Sequence, residues 1–298
     1  MELKVIFIVS VVILVLAGNA CLGANENPAE GLAGSSAGYP AEGLVESPMA
    51  PEDSSKVVLY KAFSHNDYHR PNPLFDALSY RFNCVEADLW LIDGELMVAH
   101  DRWEVEQTRT FQNLYLKPLI ERIRANGGKV YPESDRPFLL MVDCKTNGEA
   151  MYPVLKKVMA PYKEYLCTVE DGKYKEGSIL FFLSGDRPLE TLPNETNRFT
   201  FLDGRINDLD QCIPSHVMPV ISDNYVNFFS WKGEGEIPAE ELLKLRTYIL
   251  KTQSEGKKLR WWGAPDTEQF KRFFLKEGLD LIGTDNLQLL YDILTLNH

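Results

Sequence analysis

The chain has 298 residues, of which 45% are hydrophobic and 25% are charged, so it is long enough to bury the core of one large domain or two small ones. Its formal net charge is -12 and its pI is close to 5.0. An acidic surface repels nucleic acid and offers no polybasic patch to anionic lipid, so we expect no nucleic-acid partner. This charge still permits an anionic substrate, because a bound metal ion reverses the local sign.

Residues 1–20 have the features of a secretory signal peptide, with a basic Lys4, an uncharged apolar run over residues 5–17 and small residues before a cleavage point. The apolar run is shorter than the roughly 20 residues that a membrane-spanning helix needs. Cys21 follows the cleavage point directly, which resembles the acylated cysteine of a bacterial lipoprotein. We therefore expect an exported protein that is periplasmic, secreted or a cell-surface lipoprotein. Any association with a membrane surface would depend on lipidated Cys21.

Residues 21–55 are rich in Ala, Gly, Pro, Ser and Glu and have almost no aliphatic periodicity, which is typical of a disordered linker. From Lys56 onward, short β-rich runs alternate with helix-like stretches. This alternation favours a (β/α)8 TIM barrel over an open sheet, as one domain over residues 56–298. The predicted strands are 57–63, 83–89, 138–143, 178–183, 199–202, 217–221, 259–262 and 280–284. The predicted helices are 114–125, 150–159, 239–253, 267–276 and 287–294.

Carboxylates end the second and third predicted strands, at the rim where a barrel of this type carries its active site. Glu86 and Asp88 are two residues apart on one strand, so their side chains share a face and can reach one cation. The surrounding segment is apolar, and a cation removes the cost of burying an unpaired carboxylate pair. Asp143 ends the next strand and can supply a third ligand. Such ligands favour Mg²⁺ or Ca²⁺ over Zn²⁺, so we predict one of these divalent cations as the cofactor.

Two histidines and a lysine accompany these acids. His65 and His100 are the candidates for proton transfer, because a histidine side chain titrates near neutral pH. Lys145 lies just beyond the end of the third predicted strand and can stabilise the extra negative charge on phosphorus in a transition state. Together these residue types predict metal-assisted attack on a phosphodiester.

The segment over residues 89–100 has the pattern of a β-hairpin with a turn at Asp93-Gly94. A two-residue turn would put His100 on the face opposite to Glu86, whereas a three-residue turn with a left-handed Gly94 puts both on one face. Catalysis requires the two side chains to converge. We therefore predict the three-residue turn.

Four short motifs occur in a fixed order along the chain. They are Ser64-His65-Asn66-Asp67-Tyr68, Val85-Glu86-Ala87-Asp88, Val98-Ala99-His100-Asp101 and Val142-Asp143-Cys144-Lys145. With these motifs the chain resembles the phosphatidylinositol-specific phospholipase C-like phosphodiesterases, the superfamily of glycerophosphodiester phosphodiesterases and spider-type sphingomyelinase D. It resembles in particular a subgroup that begins with His-Asn-Asp-Tyr.

The resemblance implies a (β/α)8 barrel that holds one Mg²⁺ or Ca²⁺ on Glu86, Asp88 and Asp143. It also implies that His65 and His100 form the acid–base or nucleophilic pair. The expected protein is then a phosphoric diester hydrolase, of glycerophosphodiesterase or phospholipase C- or D-like type.

The resemblance further implies that Lys145 contacts the phosphate and that Trp262 lines the mouth of the pocket. Asn66 stands where glycerophosphodiesterases usually carry an arginine that contacts the phosphate, and an asparagine offers no charge there. Arg205, at the end of the fifth predicted strand, is our candidate to replace that arginine. Asp143 stands where those enzymes usually carry a glutamate, which is closer to the sphingomyelinase D pattern. We predict that Asn66, Arg205 and Trp262 bind the substrate.

The predicted function is metal-dependent cleavage of a glycerophosphodiester or a phospholipid head group by the two histidines. The substrate is a small-molecule or lipid phosphodiester, and the sequence indicates no protein partner. The alternative is a catalytically silent barrel that binds lipid head groups or phosphorylated ligands at the cell surface. A glycoside hydrolase with a carboxylate pair would need neither the histidines nor the lysine.

Overall fold

The computed structural model describes residues 57–296. The predictions of a signal peptide over 1–20, a lipidated Cys21 and a linker over 21–55 therefore lie outside the described residues. Within the described part of the chain, no helix has both the length and the apolar character needed to cross a membrane.

The strands reproduce the alternating pattern that the sequence predicts, with all eight predicted strands present. They are β1 Leu59–Ser64, β2 Phe82–Ile92, β3 Glu95–Val98, β4 Phe138–Cys144, β5 Thr168–Glu170, β6 Lys173–Lys175, β7 Ile179–Gly185, β8 Phe201–Gly204, β9 Val220–Asn224, β10 Lys258–Trp262 and β11 Ile282–Thr284. The additional strands form two antiparallel hairpins, one between β2 and β3 and one between β5 and β6.

Eight of these strands run parallel in the order β10-β9-β8-β7-β4-β2-β1-β11. The two ends of this sheet meet at a single bridge between Arg260 and Leu281, where the Leu281 amide donates to the Leu259 carbonyl at 3.1 Å. The result is a nearly closed parallel barrel, which confirms the predicted fold class. Since all eight strands run the same way, their carboxyl ends share one rim.

Six α-helices accompany the strands in the described residues, and five of them match the predicted ones. They are α1 Phe75–Ser79, α2 Lys117–Ala125, α3 Gly148–Met159, α4 Ala239–Ser254, α5 Glu268–Glu277 and α6 Leu287–Thr295. Asn147, Thr267 and Asn286 start α3, α5 and α6, because each side chain accepts a backbone N–H of the first turn. The connections from β7 to β8 and from β8 to β9 carry short 3-10 turns instead of helices.

The hairpin between β2 and β3 differs from the prediction. Ile92 pairs with Glu95, so the turn has two residues, and Asp93 and Gly94 have φ values of 51° and 83°. Positive φ at both positions is the type I′ turn that suits the twist of a hairpin, and the predicted three-residue turn is wrong. His100 still reaches the acids, because β3 ends at Val98 and the chain bends at His100. The alternation of side chains along a strand therefore no longer determines which way His100 points.

Alternate residues of the strands point into the barrel. A compact apolar cluster fills its interior, and it includes Phe63, Cys84, Leu139, Met141, Leu180, Phe182, Phe201, Val220 and Leu281. Polar residues follow at the next inward positions toward the carboxyl rim, such as Glu86 after Cys84 and Asp143 after Met141. The period-2 pattern therefore places the ionisable groups above an apolar floor.

The close packing of α3 on the loop after β7 can be tested at Gly148. A Cβ atom there would lie 1.9 Å from the Asp186 carbonyl oxygen, so a methyl group must push the helix and the loop apart. We expect Gly148→Ala to lower the free energy of unfolding by about 2 kcal/mol in urea denaturation. Gly283→Ala is the control, because its nearest neighbour, Phe63 Cδ1, would lie at 3.9 Å. Equal stability of the two variants would contradict this packing.

Candidate active site

All nine side chains named from the sequence line one cavity of about 320 Å³ at the carboxyl rim of the barrel. They are His65, Asn66, Glu86, Asp88, His100, Asp143, Lys145, Arg205 and Trp262. Met141, Ser184, Gly185 and Arg260 complete the lining. We call this space the catalytic cavity. Residues from six of the eight barrel strands or the loops after them thus converge on one volume.

An acidic wall is formed by β2 and β4. Asp88 is opposite Asp143 in the register of these strands, and Glu86 lies two residues before Asp88. The Lys145 ammonium lies 2.9 Å from Asp88 Oδ2 and 2.5 Å from Asp143 Oδ2. Burial and the charge of Glu86 raise the pKa of Asp88 to about 6, although Lys145 opposes the shift. Burial lowers the pKa of Lys145, but the two aspartates outweigh it and the net shift is upward.

The donor set of this wall fits a hard divalent cation in its chemistry, since Glu86, Asp88 and Asp143 all offer carboxylate oxygens. Asp88 Oδ1 is buried and has no hydrogen-bond partner, so a cation would satisfy it. The Lys145 ammonium occupies the position between Asp88 and Asp143 that a cation would take. As they stand, no three or more His, Cys, Asp or Glu side chains within residues 57–296 are arranged to hold a metal ion.

His65 follows β1, and its Nδ1 atom lies 2.9 Å from Asp285 Oδ1. The Asn66 amide nitrogen lies 3.1 Å from each of these two atoms. Because an amide N–H can only donate, it donates to the carboxylate, and the Nδ1–H of His65 does the same. The Nε2 atom of His65 is left for the catalytic cavity, 3.8 Å from Glu86 Oε2. Burial lowers the pKa of His65, but Asp285 and Glu86 outweigh it and the net shift is upward.

His100 is oriented in the same manner. Its Nδ1 atom lies 3.0 Å from Asp88 Oδ2 and 3.0 Å from the Tyr68 hydroxyl. Tyr68 donates its proton to Asn66 Oδ1 at 2.7 Å, so the Nδ1–H of His100 is free to donate to Asp88. Burial and the charge of Asp88 raise the pKa of Tyr68, which keeps this hydroxyl protonated. Both histidines thus direct Nδ1 to a carboxylate and leave Nε2 for a ligand.

Arg205 reaches the catalytic cavity from the loop after β8, a strand that only β7 separates from β4. Its Nη1 atom lies 2.9 Å from Oδ2 of Asp203, a fully buried residue near the carboxyl end of β8. Ser184 Oγ donates to the same oxygen at 2.7 Å, and Ser222 Oγ donates to it as well. Burial raises the pKa of Asp203, against the opposing charge of Arg205 and the two hydroxyl donors. This network fixes the guanidinium of Arg205 at the rim.

Trp262, the last of the nine, is 40% exposed at the end of β10. Three further residues at the site, Tyr68, Arg260 and Asp285, were not among the site residues predicted from the sequence. Arg260 lies two residues before Trp262 on a predicted strand, so the period of two could have placed it on the same face. Asp285 directly follows β11, and the shared rim of the barrel could have indicated its place beside His65.

Comparison with known families matches residues 52–203 to the AIM6-like phosphodiesterase domain, which is just over half of the chain. The chain therefore belongs to this family of phosphodiesterase domains, and the predicted resemblance is confirmed. The matched range contains both site histidines, the three acids of the wall and Lys145, whereas Arg205, Arg260 and Trp262 lie beyond it.

Curated relatives cover most of the barrel. The chain is 25% identical over 260 residues to the altered inheritance of mitochondria protein 6 homolog of Arthroderma benhamiae, which covers 78% of this chain and 82% of that protein. It is 27% identical over 278 residues to altered inheritance of mitochondria protein 6 of Lachancea thermotolerans, which covers 78% of this chain and 65% of that protein. Among solved structures, a glycerophosphodiester phosphodiesterase from Parabacteroides distasonis is similar with a TM-score of 0.48 and 12% identity, over 78% of this chain and 96% of that one.

The pairing of His65 with Asp285 predicts a measurable shift. We expect Asp285→Asn to lower the pKa of His65 in an NMR titration of the imidazole, because the acceptor of its Nδ1–H loses its charge. A raised histidine pKa stabilises the fold fully below the unfolded value of about 6.5 and stops doing so as the pH rises through the folded value. The stability difference between the wild type and Asp285→Asn should therefore be largest below about pH 6.5 but above the pKa of Asp285, which the pairing lowers.

Asp135→Asn is the matched control, because this exposed acid precedes β4 at the opposite end of the barrel. It removes the same charge far from the imidazole. A His65 pKa that is the same in Asp285→Asn as in the wild type would contradict the pairing.

Proposed function

We propose that the protein is a metal-dependent phosphodiesterase that cleaves a glycerophosphodiester or a phospholipid head group, with His65 and His100 as its acid–base pair. One observation carries this proposal: both imidazoles hold Nδ1 on a carboxylate and line the same cavity. Phosphodiester hydrolysis needs a group that accepts a proton from the attacking oxygen and another that donates one to the leaving oxygen. Two oriented imidazoles in one cavity can meet both needs.

The histidines act on opposite sides of the phosphorus. The neutral imidazole takes the proton of water or of a neighbouring substrate hydroxyl, or attacks phosphorus itself. The protonated imidazole gives its proton to the departing alcohol. Asp285 and Asp88 keep the two rings in the required tautomer and stabilise whichever ring is charged.

Glu86, Asp88 and Asp143 would hold the Mg²⁺ or Ca²⁺, which supplies charge neutralisation at a non-bridging phosphate oxygen when it is bound. Lys145 then donates to the phosphate and stabilises the charge that grows on it. Its raised pKa keeps this ammonium charged across the physiological range.

Substrate contacts come from residues of the catalytic cavity outside the acidic wall. Arg205, held by Asp203, donates to the phosphate. It takes the role of the phosphate-binding arginine that glycerophosphodiesterases usually carry at the place of Asn66. Asn66 instead orients His65 and Asp285 through its amide. Trp262 covers the bound head group at the rim, where its exposed ring can pack on an apolar or cationic group.

The histidines carry the first test of this proposal. We expect His65→Ala and His100→Ala each to lower kcat by about 10² to 10⁴, which is the usual contribution of general acid–base catalysis. Hydrolysis is measured on bis-p-nitrophenyl phosphate, glycerophosphocholine, phosphatidylinositol and sphingomyelin. His216→Asn is the control, because that ring contacts Arg198 outside the catalytic cavity. Wild-type turnover in His65→Ala would refute the mechanism.

Metal removal gives the second test. We expect chelation with EDTA to abolish turnover and added Mg²⁺ or Ca²⁺ to restore it, because three carboxylates without a cation repel an anionic substrate. Asp143→Asn should need a higher metal concentration for half-maximal activity, whereas Asp101→Asn, outside the cavity lining, should not. Full activity in EDTA would contradict metal dependence. Cation binding without turnover on any of the four substrates would favour the silent binding barrel instead.

A further inference from the structure

Three cationic side chains line the catalytic cavity among the described residues, and they differ in how they are paired. Lys145 has two carboxylate oxygens within 2.9 Å, and Arg205 has one at 2.9 Å. Arg260 has its carboxylate contact, Glu86 Oε2, at 3.7 Å from Nη2. This separation exceeds the usual range of a charge-assisted hydrogen bond. Arg260 is therefore the cation whose donors are least used by the protein.

The surroundings of Arg260 make this arrangement costly without a ligand. The residue is 3% exposed, its Nε atom is buried without a hydrogen-bond partner, and its Nη1 atom faces the Met141 sulfur at 3.7 Å. The guanidinium carbon lies 3.9 Å from the centre of the Phe63 ring, which offers some compensation to the charge but accepts no conventional hydrogen bond. A buried guanidinium normally has its N–H groups satisfied by oxygen atoms.

A structural arginine elsewhere in the barrel shows the contrast. Arg198 is 5% exposed, and it too has a buried Nε atom without a partner. Its Nη1 and Nη2 atoms, however, each donate to a backbone carbonyl at 2.7 Å, those of Glu195 and His216. The protein itself satisfies Arg198. It leaves Arg260 with two contacts of 3.7 Å, which a purely structural role does not explain.

Arg260 also lies where a ligand can reach it. It lines the catalytic cavity and a second cavity of about 260 Å³, which opens where β10 and β11 diverge beyond their single bridge. His65 and Trp262 line both cavities as well. An anion at this junction would therefore lie beside His65, one of the two proposed proton carriers.

We propose that Arg260 is a phosphate-binding residue. It lies at the floor of the catalytic cavity and binds the phosphodiester anion there. Its planar fork of N–H groups suits two phosphate oxygens at once, and an anion there would satisfy the donors that the fold leaves without oxygen partners. Arg260 would thus add a second guanidinium to that of Arg205, from β10, which only β11 separates from the strand that leads to His65. The inference rests on the proposed function in one respect, that the bound group is a phosphate.

The location also sets the direction of the substrate. With the phosphate at the junction, one ester substituent points to the open rim at Trp262 and the other toward the second cavity. That cavity measures about 260 Å³, close to the size of the catalytic cavity, and has room for a small alcohol. Its lining also holds Asp266 and Lys271, which are paired with each other.

Binding of inorganic phosphate to the full chain tests this assignment, by isothermal titration calorimetry with and without Mg²⁺. We expect Arg260→Met to weaken phosphate binding by about tenfold to a hundredfold, the range of charge-assisted hydrogen bonds lost at a buried site. Methionine keeps most of the apolar stem and removes the donors. Arg198→Met is the matched control, with an expected affinity within about twofold of the wild type.

Arg260→Lys gives a second reading if Arg260→Met does not fold, as judged by circular dichroism and thermal melting. It keeps the charge and loses the fork, so its affinity should fall between those of the wild type and the methionine variant. The assignment would be overturned if folded Arg260→Met, or Arg260→Lys in its place, bound phosphate as tightly as the wild type. It would also be overturned if the wild type bound no phosphate.

The outcomes separate this inference from the proposed function. Phosphate binding that depends on Arg260, together with no hydrolysis of any diester, would uphold the phosphate-binding role and reject the phosphodiesterase. Diester hydrolysis by the wild type, together with an unchanged phosphate affinity in Arg260→Met, would uphold the phosphodiesterase and reject the phosphate-binding role of Arg260.

Discussion

Charge buried at the carboxyl rim of the barrel is the constraint on which the rest of the structure depends. Glu86, Asp88 and Asp203 are each at most 7% exposed and occupy inward-facing positions of β2 and β8. Carboxylates in such surroundings must be matched by donors or cations, or they lose their charge. Lys145 and Arg205 provide two of the matching charges, and their positions follow from the acids that hold them.

The match is incomplete on both walls, and the two deficits are complementary. On the acidic wall, Asp88 keeps a buried oxygen without a donor, and its pKa is raised. On the opposite wall, Arg260 keeps a buried N–H without an acceptor. A divalent cation would satisfy the first and a phosphate the second, so a metal–phosphodiester pair would complete the electrostatics of this cavity. His65 and His100 line the same cavity, each with its Nδ1 atom on a carboxylate.

Much of this arrangement could be read from the sequence, because buried parallel strands appear as short apolar runs and their carboxyl ends must share a rim. The prediction failed where irregular backbone decides the outcome. Asp93 and Gly94 follow ordinary turn chemistry, and a bend after Val98, which has no periodic signal, brings His100 to the acids. Arg260 was overlooked because it lies inside a strand that was recognised by its apolar neighbours, where a charged residue carries no motif.

A crystal structure with Mg²⁺ or Ca²⁺ and a phosphate analogue tests the central claim most directly. The account predicts one cation in contact with Glu86, Asp88 and Asp143, with the Lys145 ammonium moved from between the two aspartates onto the phosphate. Lys145 still bridging Asp88 and Asp143, with the cation bound elsewhere on the chain, would contradict it.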